Sequence, residues 1–245
     1  HYAPHRPLSA PDEVIAKYID KGLDEKIATV YAMIEIMDTG IGVLLDELDT
    51  LGLAENTLVI FASDNGPDPI VGDRFNAPYR GTKYMVNEGG IRVPFFVRRP
   101  GMIEPGKREE PIHFIDVVPS LVEICRLEKG PEGLPTDGVS FAGLLSEEYS
   151  DHTPPPHRFW QWNRLRPRVT HNGAVRKGDW KLVKPFVTKN YPKGKSDLPY
   201  HLYHLPSDPG EQNDLAAEHP GQVERLTKLY RSWFFEIEAD RKRDQ

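Results

Sequence analysis

Hydrophobic positions in the first quarter of the chain recur with a helical period. Between Asp24 and Leu51 they fall at Ile27, Val30, Tyr31, Ile34, Met37, Ile41, Leu44, Leu45 and Leu48, which predicts one long helix. Gly52 follows the last of them, where a C′ glycine would stop it, while Gly40 and Gly42 interrupt its interior. The period then disappears. Thr57-Leu58-Val59-Ile60-Phe61-Ala62-Ser63 is apolar on both faces and β-branched, the pattern of a central strand in a parallel sheet. A long helix feeding such a strand is half of a βαβ unit. A second apolar strand is expected at Pro94-Phe95-Phe96-Val97-Arg98, and a helix from near Asp116 with Val117, Leu121, Val122 and Ile124 inward.

The pattern changes again in the last third. Phe159 to Trp162, Ala174 to Arg176, Trp180 to Val183 and Tyr200 to Tyr203 are short runs with strand character, and Lys177-Gly178-Asp179 is a tight turn between two of them. A last helix is expected from Pro220, with Val223, Leu226, Leu229, Trp233, Phe234 and Ile237 as its apolar stripe. The fold class is therefore α/β: part of a mixed, mostly parallel sheet flanked by helices over residues 1–145. A small domain with an antiparallel sheet and a terminal helix follows over 146–245. Residues 1–11, with three prolines, are expected to be extended and irregular, and 127–157, rich in Gly and Pro, to connect the two parts.

Composition narrows the function. Lys and Arg total 31 against 37 Asp and Glu, a net charge of -6, so no basic face dominates and no nucleic-acid partner is expected. Basic clusters at Arg164, Arg166 and Arg168, and at Lys189, Lys193 and Lys195, read mainly as solvated surface. The single cysteine, Cys125, excludes an internal disulfide and is expected to be a buried small hydrophobe. No run approaches the ~20 apolar residues of a membrane span. The first residues, His1-Tyr2-Ala3-Pro4, carry no initiator Met or apolar leader and read as mid-protein.

The sharpest chemical feature is Asp64-Asn65-Gly66, directly after the first strand. Ligands of open α/β sheets bind beyond the carboxyl ends of strands. An anionic and a neutral oxygen side by side suit a hard cation, Ca²⁺ or Mg²⁺. The same tripeptide is also good turn chemistry, and two residues cannot fill the 6–8 oxygens of a calcium site. A loop of about 25 residues follows, long enough to suggest function. Lys83, in Arg80-Gly81-Thr82-Lys83, could stabilise charge on an anionic substrate held by such a metal, or be an ordinary surface lysine. In Glu88-Gly89-Gly90-Ile91-Arg92-Val93-Pro94 the paired glycines allow a tight turn into the second strand, and Arg92 is read as a structural partner of Glu88. His5, held between Pro4 and Pro7, could act as a general acid toward a leaving alcohol, although the chain holds nine histidines.

In order along the chain, these segments resemble the sulfatase family of the alkaline phosphatase superfamily. The resemblance is carried by Ala3-Pro4-His5-Arg6-Pro7-Leu8, Tyr31-Ala32-Met33-Ile34 with Asp38 and Gly42, and Thr57 to Gly66. Arg80-Gly81-Thr82-Lys83, Glu88 to Pro94, Phe114 to Leu121 and Asp137 to Ser140 continue it. Val175 to Leu182 and Asp208 to Leu215 complete it. It implies hydrolysis of sulfate esters by a formylglycine nucleophile made from a Cys or Ser in Cys/Ser-x-Pro-x-Arg. It further implies a Ca²⁺ held in part by Asp64 and Asn65, with Lys83 on the sulfate group and His5 near the leaving oxygen. No Cys/Ser-x-Pro-x-Arg occurs in the 245 residues; Ser207-Asp208-Pro209 starts correctly but reaches Glu211 in place of arginine.

The chain is thus expected to be the C-terminal portion of a sulfatase, inactive by itself, with the N-terminal part of the domain as partner. Read alone, it should expose a sheet edge and apolar faces on its long helix. The alternatives are a non-catalytic chain that binds sulfated ligands and a related phosphate or phosphonate ester hydrolase. The resemblance implies a periplasmic, secreted or lysosomal setting, and the substrate is a sulfate ester, with the arginine cluster hinting at a sulfated carbohydrate.

Overall fold

The computed structural model describes residues 3–72, 76–128, 137–149, 153–163, 166–186 and 198–243. Arg164, Lys189, Lys193 and Lys195 of the basic clusters lie outside them. The chain divides into two compact units: 1–62 with 68–74 and 95–102, and 63–67 with 75–94 and 103–245.

In the first unit, helix α1 (Asp12–Ile19) packs on helix α2 (Glu25–Thr50). Asp24 caps α2 by accepting from the amides of Lys26 and Ile27. Its end is a Schellman turn: Gly52, at φ 68, donates to the Asp49 carbonyl and Leu53 to that of Leu48. The glycine stop read from the sequence stands where it was expected. α1 and α2 are joined through Glu35, which accepts from Lys17 and from the Tyr18 hydroxyl at 2.7 Å each, while the Tyr18 and Tyr31 rings meet edge to face. Although no run of apolar residues stood out, the 26-residue α2 is long and apolar enough on average to cross a membrane by length and composition. Core helices of soluble proteins pass the same test.

Strands β1 (Val59–Ala62) and β2 (Phe95–Arg98) complete this unit as an antiparallel pair, with Val59 opposite Arg98 and Ala62 opposite Phe95. The expectation of a mostly parallel sheet is corrected: every strand pair among the described residues is antiparallel. An apolar run on both faces reports burial and says nothing of the direction of the neighbour. Even the burial is partial here, since both strands are half-buried and Phe96 is 64% exposed. Ile34, Ile36, Val43 and Leu44 of α2 are exposed too. The exposed apolar face expected on the long helix is present.

The second unit holds a four-stranded antiparallel meander, β3 (Arg158–Gln161), β4 (Gly173–Lys177), β5 (Trp180–Lys184) and β6 (His201–His204), in sequential order. Gly178, at φ 56, makes the tight turn between β4 and β5. Helices α3 (Glu88–Ile91) and α4 (Val117–Ile124) precede the sheet and α5 (Pro220–Arg243) follows it. Alternation sorts the strand residues between two faces. Val175, Leu182 and Leu202 meet Leu226, Tyr230 and Phe234 of α5, where Phe159 also stacks on Trp233. Ala174, Val183 and Tyr203 pack on the opposite face with Val86, flanked by Trp160 and Trp162.

Asp116 anchors the start of α4. Its carboxylate accepts from the amides of His113 and Val139 at 2.8 Å each and pairs with the buried Arg158. Gly138 is needed beside it, because a Cβ there would lie 1.9 Å from the Ile115 carbonyl oxygen. Cys125 is exposed rather than buried. It is the C-cap of α4, one residue past the buried Ile124, where the apolar stripe no longer constrains which way a side chain faces.

Candidate functional site

Asp64-Asn65-Gly66 follows β1 directly and folds as a bend onto the segment that leads through α3 into β2. Gly66 donates its amide to the Gly90 carbonyl at 2.9 Å, and Lys83 donates its own to the Pro67 carbonyl at 2.9 Å. The backbones approach so closely that only glycine fits at the crossing. A Cβ on Gly66 would sit 2.0 Å from the Gly89 oxygen, on Gly89 2.4 Å from the Gly81 oxygen, and on Gly90 2.1 Å from the Met85 oxygen. The Asn76 amide donates to the carbonyls of Gly81 and Gly89, stitching the same block from the side. The paired glycines read as a tight turn are therefore a stacking surface for backbone.

Three of the expected site residues are thus brought onto one block of the second unit: Asp64, exposed, and Asn65 and Lys83, half-buried. Among the described residues neither the Asp64 carboxylate nor the Asn65 amide takes a side-chain hydrogen bond. Asn65 is held through its backbone carbonyl, which accepts from the Ser63 hydroxyl. That leaves a carboxylate and an amide oxygen on consecutive residues without side-chain partners, oxygen ligands of the kinds a hard cation takes. No cluster of three or more His, Cys, Asp or Glu suited to a metal occurs among the described residues. Lys83 lies 5.7 Å from the centre of the Tyr84 ring, and Tyr84 itself has φ 80, a left-handed conformation uncommon for a bulky residue.

His5 belongs to the first unit. Its Nδ1–H donates to the Arg6 carbonyl at 2.8 Å, which leaves Nε2 for a second partner. Arg6 in turn pairs with Asp68 at 3.2 Å.

Sequence reasoning missed the group beneath the Lys83 loop. Lys181 of β5 is fully buried and donates to Glu88 Oε1 at 2.7 Å. Its ammonium also lies 3.0 Å from Glu211 Oε1, as an ion pair without hydrogen-bonding geometry. The second oxygen of Glu211 accepts from the Glu88 amide at 2.7 Å. Burial works to raise the Glu88 carboxyl, but the Lys181 ammonium outweighs it and holds the group below its ordinary value. For Glu211 burial wins and the carboxyl is pushed up, only partly offset by Lys181 and the Glu88 N–H. Tyr203 beside them is pushed up to about 12, chiefly by burial. Glu88 therefore pairs with Lys181 and not with Arg92, which lies 3.7 Å from Glu109 and over the Tyr79 ring. A signal for this was present: β-alternation puts residue 181 on the same face as the buried Val183, where a charge needs partners.

Comparison with known proteins agrees with this architecture. A family model described as Sulfatase matches residues 1–125, and one described as N-sulphoglucosamine sulphohydrolase, C-terminal, matches residues 80–233. The chain belongs to the sulfatase family. It is 30% identical to a sulfatase of Formosa agariphila across 97% of its own length and 46% of that protein's. It is 29% identical to an N-acetylgalactosamine-6-O-sulfatase of Bacteroides thetaiotaomicron, across 80% of its length and 40% of the relative's. Among solved structures, Ps i-CgsB in complex with k-i-k-neocarrahexaose superposes with a TM-score of 0.74 at 25% identity, covering 94% of this chain and 48% of that one. The chain thus spans about half the length of the relatives it matches.

Proposed function

We propose that this chain is part of a sulfuric ester hydrolase acting on a sulfated carbohydrate. The observation that carries the reading is the close backbone stack in the segments of Asp64, Asn65 and Lys83, in a chain of the sulfatase family. Asp64 and Asn65 would hold Ca²⁺, with Mg²⁺ as the alternative, and the ion when bound supplies positive charge against the sulfate group. Lys83 would bind the sulfate oxygens and stabilise charge that grows on them as the S–O bond to the alcohol breaks. With both ring nitrogens protonated, His5 would keep its Nδ1–H on the Arg6 carbonyl and give its Nε2 proton to the leaving oxygen. The formylglycine nucleophile would come from the part of the family's length that this chain does not span. The names of the compared proteins support a carbohydrate: one acts on 6-O-sulfated N-acetylgalactosamine and another holds an oligosaccharide. An oxygen-ligand calcium site of this kind suits the periplasmic, secreted or lysosomal setting expected for the family.

The test is sulfate release by the full gene product from a 6-O-sulfated N-acetylgalactosamine, against phosphate release from an aryl phosphate. Lys83→Ala is expected to lower kcat/KM on the sulfate ester by about 10²–10³. Preferred hydrolysis of the phosphate would move the reading to the phosphate-ester relatives. Tight binding without turnover would move it to a non-catalytic sulfated-ligand binder.

A further inference from the structure

The loop that carries Lys83 is held at both ends by one residue far along the chain. At its start, the Arg80 guanidinium donates to the Glu211 carbonyl at 3.2 Å and lies 3.4 Å from the Tyr203 hydroxyl. At its end, the Glu88 amide donates to the Glu211 carboxylate, 123 positions away in sequence. Between them the loop closes on itself, Gly89 donating to the Arg80 carbonyl at 2.7 Å. Lys181 then ties the Glu88 side chain to that of Glu211 from below, in a site where none of the three is more than 7% exposed.

Glu211 is itself forced into place. It has φ 53, a left-handed conformation that a glutamate rarely adopts, inside a turn tied by Asp208, whose carboxylate accepts from the amides of Gln212 and Asn213. Gly210, just before it, presses against the loop so closely that a Cβ would lie 2.7 Å from the Pro78 oxygen. Strain of this kind persists where the surroundings over-determine it, and it gathers at sites where placement matters.

We infer that Glu211, Lys181 and Glu88 are positioning residues: they fix the Arg80–Glu88 loop so that Lys83 meets the anionic group of the substrate in one geometry. The role given to Lys83 rests on the sulfatase reading, whereas the clamp on the loop does not. A buried network of one ammonium between two carboxylates is suited to this task because breaking its contacts leaves a buried charge or a buried amide without a partner. An apolar core at the same place would tolerate small slips of the loop, and a slip of about 1 Å at a substrate-binding group can cost on the order of 100-fold in rate.

The experiment uses the full gene product and two readouts. The first is amide hydrogen exchange at Lys83, Glu88 and Gly89 in Glu211→Gln, which keeps an acceptor for the Glu88 amide while removing the charge. Exchange at these amides is expected to rise about tenfold or more, with the amides of β4 and β5 unchanged. The second is a double-mutant cycle in sulfate-ester hydrolysis. Glu211→Gln is expected to lower kcat/KM by about 10–100-fold. Added to Lys83→Ala it should cost less than about a further twofold, because the clamp acts through Lys83. Lys181→Met repeats the cycle from the other side of the network; where it fails to fold, Glu211→Gln alone carries the test. Unchanged exchange in the loop overturns the inference, and so does a cycle in which the two losses multiply. Faster loop exchange in a protein that hydrolyses no sulfate ester would retire the sulfatase reading while leaving the clamp in place.

Discussion

α2 and α5 are close in length, 26 and 24 residues, and each carries an apolar stripe legible in the sequence, yet they end differently. The α5 stripe closes over β4, β5 and β6, with Leu226 and Tyr230 at 0% and 1% exposure. Buried residues of α2 are confined to its first turns, from Ala28 to Met33, and Val43 further along is 65% exposed. The same contrast holds for charge. Lys17 and Glu35 pair in solvent, whereas Lys181, Glu88 and Glu211 pair without it. A helical period announces that a face is made to be covered; it does not say whether the cover lies in the same stretch of chain.

The contrast breaks most readily at α5. Tyr230→Ala should cost about 3–5 kcal/mol, since it empties the centre of the helix–sheet core and removes the hydroxyl that donates to Gln161. Urea unfolding measures this, and a loss below 1 kcal/mol would mean that α5 is only loosely docked. A smaller effect is expected from pH. Glu88, held below its unfolded value, contributes stability that is present above about pH 4.3 and is lost as pH falls through its folded value. Glu211, pushed up, behaves oppositely: its contribution is present below that pH and is lost as pH rises through its folded value. Glu88→Gln should therefore flatten the acid limb of the stability profile, and Glu211→Gln the limb above about pH 4.3. Identical profiles for the two variants would contradict the opposite shifts. The smallest effect belongs to α2, where Val43→Ser should change the unfolding free energy of this chain by no more than about 0.5 kcal/mol. A loss several times larger would show that the exposed face has found a cover, and concentration-dependent stability would then identify self-association.

Much of the fold was legible because the local signals are strong. The Gly52 stop, the Lys177-Gly178-Asp179 turn and the α5 stripe each have a mechanism confined to a few residues. Strand direction was not legible, because the apolar run at 57–63 encodes burial and its neighbour is chosen by the chain's return at 95–98. The outward turn of Cys125 was hidden for a related reason, since a stripe loses its meaning one residue past a helix end. The candidate site divides in the same way. Asp64, Asn65 and Lys83 stand out through side-chain type and place along the chain. The clamp depends on contacts 93 and 123 positions apart, which no local pattern reports.

That separation has a consequence for how the protein is made. When synthesis has passed the Lys83 loop, both Lys181 and Glu211 are still to be translated. Glu88 then has neither its ammonium nor the carboxylate that takes its amide, and the loop must wait, solvated, for about another 120 residues, roughly 6–24 s at common elongation rates. A ribosome-bound chain halted before residue 181 should therefore be cut by protease within 80–90. One released after α5 has also been made, so that the sheet bearing Lys181 has its core, should resist cleavage there; the site's last part to be synthesised is also the part that sets it.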